Sequence, residues 1–364
     1  RIWVASDLGI PDWRGWAYCH SIVELATAIK PFMLAHLLKL PECRKVIYLD
    51  PDTVAFSRLD DIVKLLDNAN IVLTPHQTQP EQTLAAVMDN EICSLKHGIY
   101  NLGFIAVAAT EVGRQFADWW SRRVYHFCRA DIPNGLFTDQ RWIDLVPAFF
   151  EGVTIMRSSR HNVATWNLTT RQLGLSASGD YTVDGEPLGF YHFTGFDSGA
   201  HRIMAAKNAG NNSAVHQLVN WYAQQTEELA NEPLAKEPWA YGFYTDGTPI
   251  SKEQRLVYRE RIDLQRAFPD PFNAATYLVW WNTQGKMEFP DLFEEATRDM
   301  AMGKLSSVLT PGFRGSNQGI DWRKLGGIIR QSISQPKTGF VIGKRGWEVL
   351  QNEGVTGLKR RLLG

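Results

Sequence analysis

This chain contains few cysteines, no long apolar run and no excess of charge of one sign. The four cysteines lie far apart and form no C-x-x-C pair, which excludes a zinc ribbon and a dense disulfide framework and predicts reduced thiols in a cytoplasmic protein; they are Cys19, Cys43, Cys93 and Cys128. No stretch approaches about 18 consecutive apolar residues, so no membrane-spanning helix is expected. The formal net charge of -1 provides no global basic field, and nucleic acid is therefore not an expected partner.

The composition indicates a globular protein. With 364 residues, 44% of them hydrophobic and 21% charged, the chain can form one large core or two smaller ones. Strand-like and helical runs alternate up to about residue 228, which predicts an α/β domain over residues 1–228 with a mainly parallel sheet flanked by helices. Residues 229–364 show only helical patterns between Pro- and Gly-containing turns, which predict a helical accessory region.

The individual predicted elements follow from hydrophobic spacing and capping residues. They are a strand over 2–5; helical spacing over 20–40 with Pro31 in the first turn of a second helix; strands over 46–49, 70–74, 103–107, 153–156 and 189–193; a helix capped by Thr110 and running to about Phe127; a short helix from Thr138 to Val146; and helices over 253–268, 290–305, 322–333 and 344–362.

Two aspartates separated by one proline follow the apolar run over 46–49. This run is typical of a fully buried strand, so Asp50 and Asp52 are expected at its carboxyl end, where open α/β sheets bind ligands. Pro51 limits the backbone between the two carboxylates, and such a pair can hold a hard divalent cation that also grips a diphosphate. Aspartates are also common at strand ends for local hydrogen bonding alone, so a metal site needs support from other segments.

Further polar residues stand at the ends of predicted strands and helices. His192 ends a strand, and an imidazole beside two carboxylates suits Mn²⁺ better than Ca²⁺. Asn101 enters a strand and Asp139-Gln140 begins a helix, so their polar groups are expected in the crevice at the strand ends. Each also has an ordinary structural interpretation, as a core histidine, a turn residue or a helix N-terminal acid. Less specific candidates for the donor or acceptor edge are His76, Asn162 and Trp166-Asn167.

The order, spacing and types of these residues resemble the GT-A glycosyltransferases, especially the retaining family-eight type that includes glycogenin and bacterial lipopolysaccharide galactosyltransferases. The matching stretches are Lys-Val-Ile-Tyr-Leu-Asp-Pro-Asp-Thr-Val (45–54), Tyr-Asn-Leu-Gly-Phe-Ile-Ala-Val (100–107), Phe-Thr-Asp-Gln (137–140), Asn162 and Tyr-His-Phe-Thr-Gly (191–195). The stretch Trp-Ala-Tyr-x-Phe-x-x-Asp-Gly-Thr-Pro-Ile (239–250) further resembles bacterial surface-polysaccharide glycosyltransferase modules, which often sit inside larger multi-transferase polypeptides.

The resemblance implies a GT-A (Rossmann-like) fold and a role for each matched residue. It implies that Asp50, Asp52 and His192 bind a Mn²⁺ or Mg²⁺ ion that bridges the donor diphosphate. The remaining positions that the resemblance implies at the donor are Lys30, Asn101 and Gly195, with Asp139 and Gln140 beside the transferred sugar. His76, at another strand end, and Asn162 are added as donor-binding candidates. Metal and lysine would stabilise the leaving diphosphate, and a carboxylate or amide oxygen would stabilise an oxocarbenium-like sugar, so retention is expected. Whether Asp139 or Gln140 is the nucleophile or only a polar neighbour stays open.

The chain departs from the family pattern in two places. The family's Lys-Pro-Trp is replaced by Phe196-Asp197-Ser198, so the usual lysine on the donor phosphate is absent. The family also begins with a βαβ unit that holds the nucleotide base, which requires about 30 or more residues. The stretch before Asp50 is already used by one strand and a helical segment, and the sequence is therefore expected to be truncated at its N-terminus.

The sequence as a whole predicts an enzyme, a metal-dependent hexosyltransferase that takes a nucleotide-sugar, with UDP favoured, and serves a surface-polysaccharide or glycolipid acceptor at the cytoplasmic face of the membrane. Two other functions stay open. One is a sugar-nucleotide nucleotidyltransferase, although the Gly-rich basic loop that it usually needs is not visible. The other is a non-catalytic module that binds glycan or a partner protein. The basic amphipathic segment over 344–363 predicts either peripheral membrane contact or ordinary packing with a solvated basic face.

Overall fold

The computed structural model describes residues 2–306. Its α-helices are α1 (Trp13–Tyr18), α2 (Ile22–Leu37), α3 (Asp60–Leu65), α4 (Leu84–Ala86), α5 (Ile92–His97), α6 (Glu111–Phe127), α7 (Val146–Phe149), α8 (Ala200–Ala209), α9 (Ser213–Leu229), α10 (Lys252–Glu260), α11 (Ile262–Ala267), α12 (Lys286–Glu288) and α13 (Glu295–Ser306). Its β-strands are β1 (Lys45–Leu49), β2 (Thr53–Ala55), β3 (Ile71–Leu73), β4 (Phe104–Ala108), β5 (Arg129–Asp131), β6 (Leu136–Thr138), β7 (Val153–Ile155), β8 (Leu173–Leu175), β9 (Tyr181–Val183), β10 (Glu186–Pro187) and β11 (Phe190–His192). A π-helical turn, Val87–Glu91, joins α4 to α5.

The central sheet has four strands in the order β1-β4-β3-β7. β4 runs antiparallel to both β1 and β3, and β3 is parallel to β7. The protein is therefore mixed α/β, as predicted, but the prediction of a mainly parallel sheet is wrong. The reason is that the segment between β3 and β4 leaves the sheet and returns to it at the same edge, so β4 runs back antiparallel to β3. Two hydrogen bonds close this segment: His76 N donates to Ile99 O at 2.9 Å, and Asn101 N donates to Thr74 O at 2.9 Å.

Most predicted strands and helices are confirmed, and the exceptions have identifiable reasons. β1 is half-buried rather than fully buried, whereas β3 and β4 are buried throughout. Residues 2–5 form no strand, and a 3-10 helix covers Ala5–Leu8. Pro31 does not open a second helix, because α2 continues through it. The buried face of α2 includes Leu25, Ala28, Pro31 and Leu34, and this packing outweighs the cost of a proline inside a helix.

Three smaller sheets flank the central one. β2 pairs with β11 in an antiparallel ribbon, and β5 pairs with β6 in another. β8, β9 and β10 form an antiparallel meander that has no counterpart among the predicted elements. The predicted short helix from Thr138 is displaced: Thr138 ends β6, and a 3-10 helix covers Arg141–Leu145.

The helical region after residue 229 packs onto the same hydrophobic core as the sheet domain. The ring of Tyr18 in α1 lies 5.0 to 6.1 Å from four aromatic rings of this region, those of Tyr244, Tyr258, Phe272 and Tyr277. One continuous cluster of buried residues includes these rings and side chains of α2, β4 and α6. The domain boundary at 228 stays a prediction, and the helices predicted over 322–333 and 344–362, with the basic segment 344–363, lie outside the described residues.

Within residues 2–306, no helix combines the length and the apolar character needed to cross a bilayer.

Candidate metal centre

One edge of the central sheet gathers the polar residues that the sequence singles out. β1 ends at this edge, β4 begins there and β3 ends there, because β4 is antiparallel to both. Asp50 N donates to Gly103 O at 2.9 Å, which fixes the end of β1 against the start of β4. The β2–β11 ribbon adjoins this edge, and His192 pairs with Thr53, immediately after Asp52.

Asp50, Asp52 and His192 present ligand atoms that all lie within 4.8 Å of one another. His192 Nε2 is 3.1 Å from Asp52 Oδ1 and 4.0 Å from Asp50 Oδ2. Carboxylate oxygens and an unprotonated imidazole nitrogen all accept hydrogen bonds, so a proton or a metal cation is needed to make their approach favourable. Two carboxylates and one imidazole are a ligand set that suits a divalent metal ion. The predicted ligand set is thus brought together, and these residues could hold a metal ion.

Lys30 lies between Asp50 and Asp139. Its ammonium lies 3.0 Å from Asp50 Oδ1 and 3.5 Å from Asp139 Oδ2, and it donates to Leu102 O at 3.2 Å. Burial alone would lower the pKa of Lys30, but Asp139 and Asp50 outweigh it and raise the pKa. Burial raises the pKa of Asp139 despite the neighbouring Lys30. A charged lysine therefore lies between two carboxylates at the sheet edge.

Tyr48 is a member of the site that the sequence analysis missed. Its hydroxyl donates to Asp50 Oδ1 at 2.5 Å. Because Lys30 also contacts Oδ1, the other oxygen of Asp50 is the one that faces His192. The signal was present in the sequence: residues i and i+2 of a strand point to the same face, which puts Tyr48 beside Asp50.

Asn101 contacts His192 at Nδ1, the ring nitrogen that does not face the aspartates. His192 Nδ1 lies 3.2 Å from Asn101 Oδ1, and the same oxygen accepts from Gly103 N at 3.1 Å. Asn101 Nδ2 lies 3.3 Å from His76 Nε2. The indole of Trp166 meets both imidazoles edge to face, with ring centroids 5.0 Å from His76 and 5.5 Å from His192. Asn101 and Trp166 therefore orient the imidazole that β11 positions.

The other predicted residues lie around this group with engaged side chains or backbone. Gln140 accepts from Leu102 N at 3.0 Å and donates to His97 O at 3.0 Å. Asn162 is fully buried and donates to Pro75 O at 3.2 Å, while its Oδ1 is buried without a hydrogen-bond partner. Gly195 has φ +67° in the turn after β11, a conformation that favours glycine.

Two residues beside the site have left-handed backbones. Thr138 has φ +46° and Asn162 has φ +55°, and in the described part of the chain only Asp12 and Asp184 share this among non-glycine residues. A β-branched residue such as Thr138 is strained in this conformation, and such strain clusters at functional sites. Here it turns the chain directly before Asp139, whose carboxylate contacts Lys30.

Comparison with known proteins identifies two similar proteins, both from Bacillus subtilis (strain 168). The uncharacterized protein YfnD is 28% identical over 176 residues, which cover 48% of this chain and 54% of YfnD. The uncharacterized protein YfnF is 27% identical over 181 residues, which cover 48% of this chain and 57% of YfnF. The chain thus spans little more than half the length of these relatives. No family model matches the chain, and no solved structure matches it.

Proposed function

We propose that this protein is a metal-dependent glycosyltransferase of the GT-A type, which transfers a hexose from a nucleotide-diphosphate sugar to a surface-polysaccharide or glycolipid acceptor with retention. One observation carries the proposal: Asp50, Asp52 and His192 converge at the same sheet edge as the buried Lys30–Asp139 pair. A metal site alone could serve many reactions. A metal site with a fixed cation and a second, buried carboxylate suits departure of a diphosphate from a sugar.

The divalent ion, when bound, would neutralise negative charge on the donor diphosphate. Lys30 supplies a second positive charge, and its raised pKa keeps it protonated at neutral pH. Its contacts with Asp50 and Asp139 hold the ammonium between the metal ligands and the sugar side of the site. Charge that develops on the leaving oxygen is thereby stabilised by groups already in place.

Asp139 is our candidate for the carboxylate that faces the transferred sugar. It is 1% exposed, and its Oδ2 has no hydrogen-bond partner beyond the 3.5 Å approach of Lys30. A carboxylate without strong donors is suited to stabilise positive charge at the anomeric carbon. The oxygen and the nitrogen of the Gln140 amide both form hydrogen bonds with backbone groups. In this arrangement Gln140 therefore fixes the chain that leads into β4.

The first experiment is a thermal-shift titration with UDP, GDP and their common sugar conjugates, each with Mn²⁺ and with EDTA. We expect a rise in melting temperature with one nucleotide class in Mn²⁺ and none in EDTA, because a ligand of the native state stabilises it by mass action. In the same protein, Asp52→Asn should abolish the metal-dependent rise and reduce sugar transfer at least about 100-fold, since the ligand set is broken.

Asp67→Asn is the matched control, because Asp67 pairs with Lys45 on the surface away from the ligand group. It should leave both the shift and the transfer unchanged. Wild-type protein that transfers sugar equally well in Mn²⁺ and EDTA, or an Asp52→Asn variant with full turnover, would rule out the proposed metal-dependent reaction.

A further inference from the structure

We propose that His76 is a positioning residue, which acts through Asn101 to keep a proton on His192 Nδ1, so that Nε2 is the ring nitrogen available to a metal ion beside the two aspartates. This inference rests on the proposed metal site. It assigns to His76 and Asn101 the role of orienting His192, one of the residues that would bind the metal. The three side chains form one line of hydrogen bonds, from a backbone carbonyl at one end to the metal ligands at the other.

The line starts at a group that can only accept. His76 Nδ1 lies 3.1 Å from the carbonyl oxygen of Ile99, so this nitrogen carries the proton. In a neutral imidazole the other nitrogen is then an acceptor. Burial lowers the pKa of His76 to about 4, which agrees with a neutral ring at physiological pH. His76 Nε2 therefore accepts from Asn101 Nδ2, 3.3 Å away.

The orientation of Asn101 is fixed twice, by independent partners. Its Nδ2 faces the acceptor on His76, and its Oδ1 accepts from the backbone N–H of Gly103 at 3.1 Å. Reversal of the amide would bring donor against donor at Gly103 and acceptor against acceptor at His76. Asn101 Oδ1 consequently faces His192 Nδ1 at 3.2 Å as an acceptor.

The consequence for His192 follows directly. Because Asn101 Oδ1 only accepts, His192 Nδ1 must carry a proton, and Nε2 is the ring nitrogen left for a metal ion. Nε2 lies 3.1 Å from Asp52 Oδ1, on the side of the two aspartates. A histidine that ligates a metal usually donates its other N–H to such a partner, which fixes the tautomer and the ring orientation.

The line is sheltered from solvent. His76, Asn101 and His192 are each 8% exposed or less, and the indole of Trp166 contacts both imidazoles. Water therefore competes poorly for these hydrogen bonds. If one of the three side chains is removed, water cannot easily replace the hydrogen bonds that it formed. This predicts a measurable effect of His76 on metal affinity although it contacts no ligand of the metal directly.

The test combines a metal-free and a metal-bound measurement on the full chain. With ¹⁵N-labelled imidazoles, long-range ¹H–¹⁵N spectra of the protein in EDTA at pH 7.5 should show a proton on His192 Nδ1, the nitrogen that faces Asn101 Oδ1. Calorimetric titration with Mn²⁺ alone should then give about 10- to 100-fold weaker binding for His76→Phe than for wild type, the range typical of lost outer-shell partners. His76→Gln should stay within about threefold, because its amide oxygen can replace Nε2 as the acceptor.

His20→Phe is the matched control, since His20 is also buried and also places Nδ1 on a backbone carbonyl, that of Trp16 at 2.7 Å, but belongs to the α1 region. It should bind Mn²⁺ like wild type. Equal affinity of wild type and His76→Phe would overturn the role of His76 while leaving the metal site intact. Wild type that binds no Mn²⁺ would refute the metal site, and the spectrum would still decide the relay: a His192 ring without a proton on Nδ1 contradicts it, whether or not His76→Phe folds.

Discussion

At the scale of single residues, the candidate metal centre depends on a position that has no side chain. A Cβ on Gly103 would lie 2.3 Å from His192 Cε1, 2.5 Å from His192 Nδ1 and 2.8 Å from Asn101 Oδ1. Distances this short cannot be relieved without moving the imidazole or the amide. Gly103 is thus needed for the close approach of the chain entering β4 to His192, not for a special backbone angle.

We predict that Gly103→Ala weakens Mn²⁺ binding at least about tenfold and destabilises the protein by about 1–3 kcal/mol, as overpacking of a buried site usually does. Calorimetric Mn²⁺ titration and urea unfolding measure the two effects. Gly303→Ala is the control, because nothing lies within 4 Å of its added Cβ. If Gly103→Ala binds Mn²⁺ as tightly as wild type, His192 is not held in the position described.

The residues of the site differ in how far the sequence could predict them. Asp50, Asp52 and His192 could be predicted together, because the two aspartates follow one strand, His192 ends another, their types suit one ion, and the order of these segments resembles a known family. The orientation of Asn101 toward His192 could not be foreseen, since it depends on a hydrogen bond to His76 and one from Gly103 that only the folded chain creates. The same holds for the tautomer of His192.

At the scale of elements, helix α6 is supported at its start by one hydroxyl. Thr110 Oγ1 accepts from Gly113 N at 3.1 Å as the N-cap, and it donates to Asn70 Oδ1 at 2.7 Å. The cap therefore ties α6 to the residue that precedes β3. Helix N-caps of this kind typically contribute about 1 kcal/mol.

We expect Thr110→Ala to lower the free energy of unfolding by about 1–2 kcal/mol, because it removes the cap and leaves Asn70 without its donor. Urea unfolding in EDTA measures the loss. Thr110→Ser keeps the hydroxyl and should recover most of the stability, while Mn²⁺ affinity should be unchanged in both variants. A Thr110→Ala variant as stable as wild type would mean that the cap contributes nothing net.

The elements show where local patterns suffice and where they fail. The start of α6 was predicted correctly because the cap is a local signal, carried by Thr110 and its spacing to Gly113. Strand direction was predicted wrongly because it depends on where the chain returns to the sheet, which is set by pairing between Thr74 and Asn101. The continuity of α2 through Pro31 likewise depends on packing and cannot be read from local spacing.

At the scale of the whole molecule, four buried histidines make the stability depend on pH. Burial lowers the pKa of each to about 4, even where Glu24 and Asp61 oppose the shift; they are His20, His76, His161 and His201. In the unfolded chain a histidine has a pKa near 6.5. Between pH 6.5 and 4 the unfolded state therefore binds more protons, so the stabilisation is complete above pH 6.5 and is lost as the pH falls toward 4.

We predict that the free energy of unfolding at pH 5 is lower than at pH 7.5 by at least about 3 kcal/mol, since each histidine contributes up to about 1.4 kcal/mol per pH unit. Urea unfolding at both pH values, in EDTA to remove metal effects, measures the difference. His20→Phe should show a smaller difference than wild type. Equal stability at the two pH values would contradict the burial of neutral imidazoles.

The packing of the helical region around Tyr18 has a consequence for synthesis of the chain. Tyr18 Oη and Tyr244 Oη lie within hydrogen-bond distance although 226 positions separate them in sequence. A ribosome that adds about 5–20 residues per second needs roughly ten seconds or more to make that stretch. Throughout this interval the ring of Tyr18 lacks these partners, so this part of the core can be completed only after the region around residue 277 has emerged.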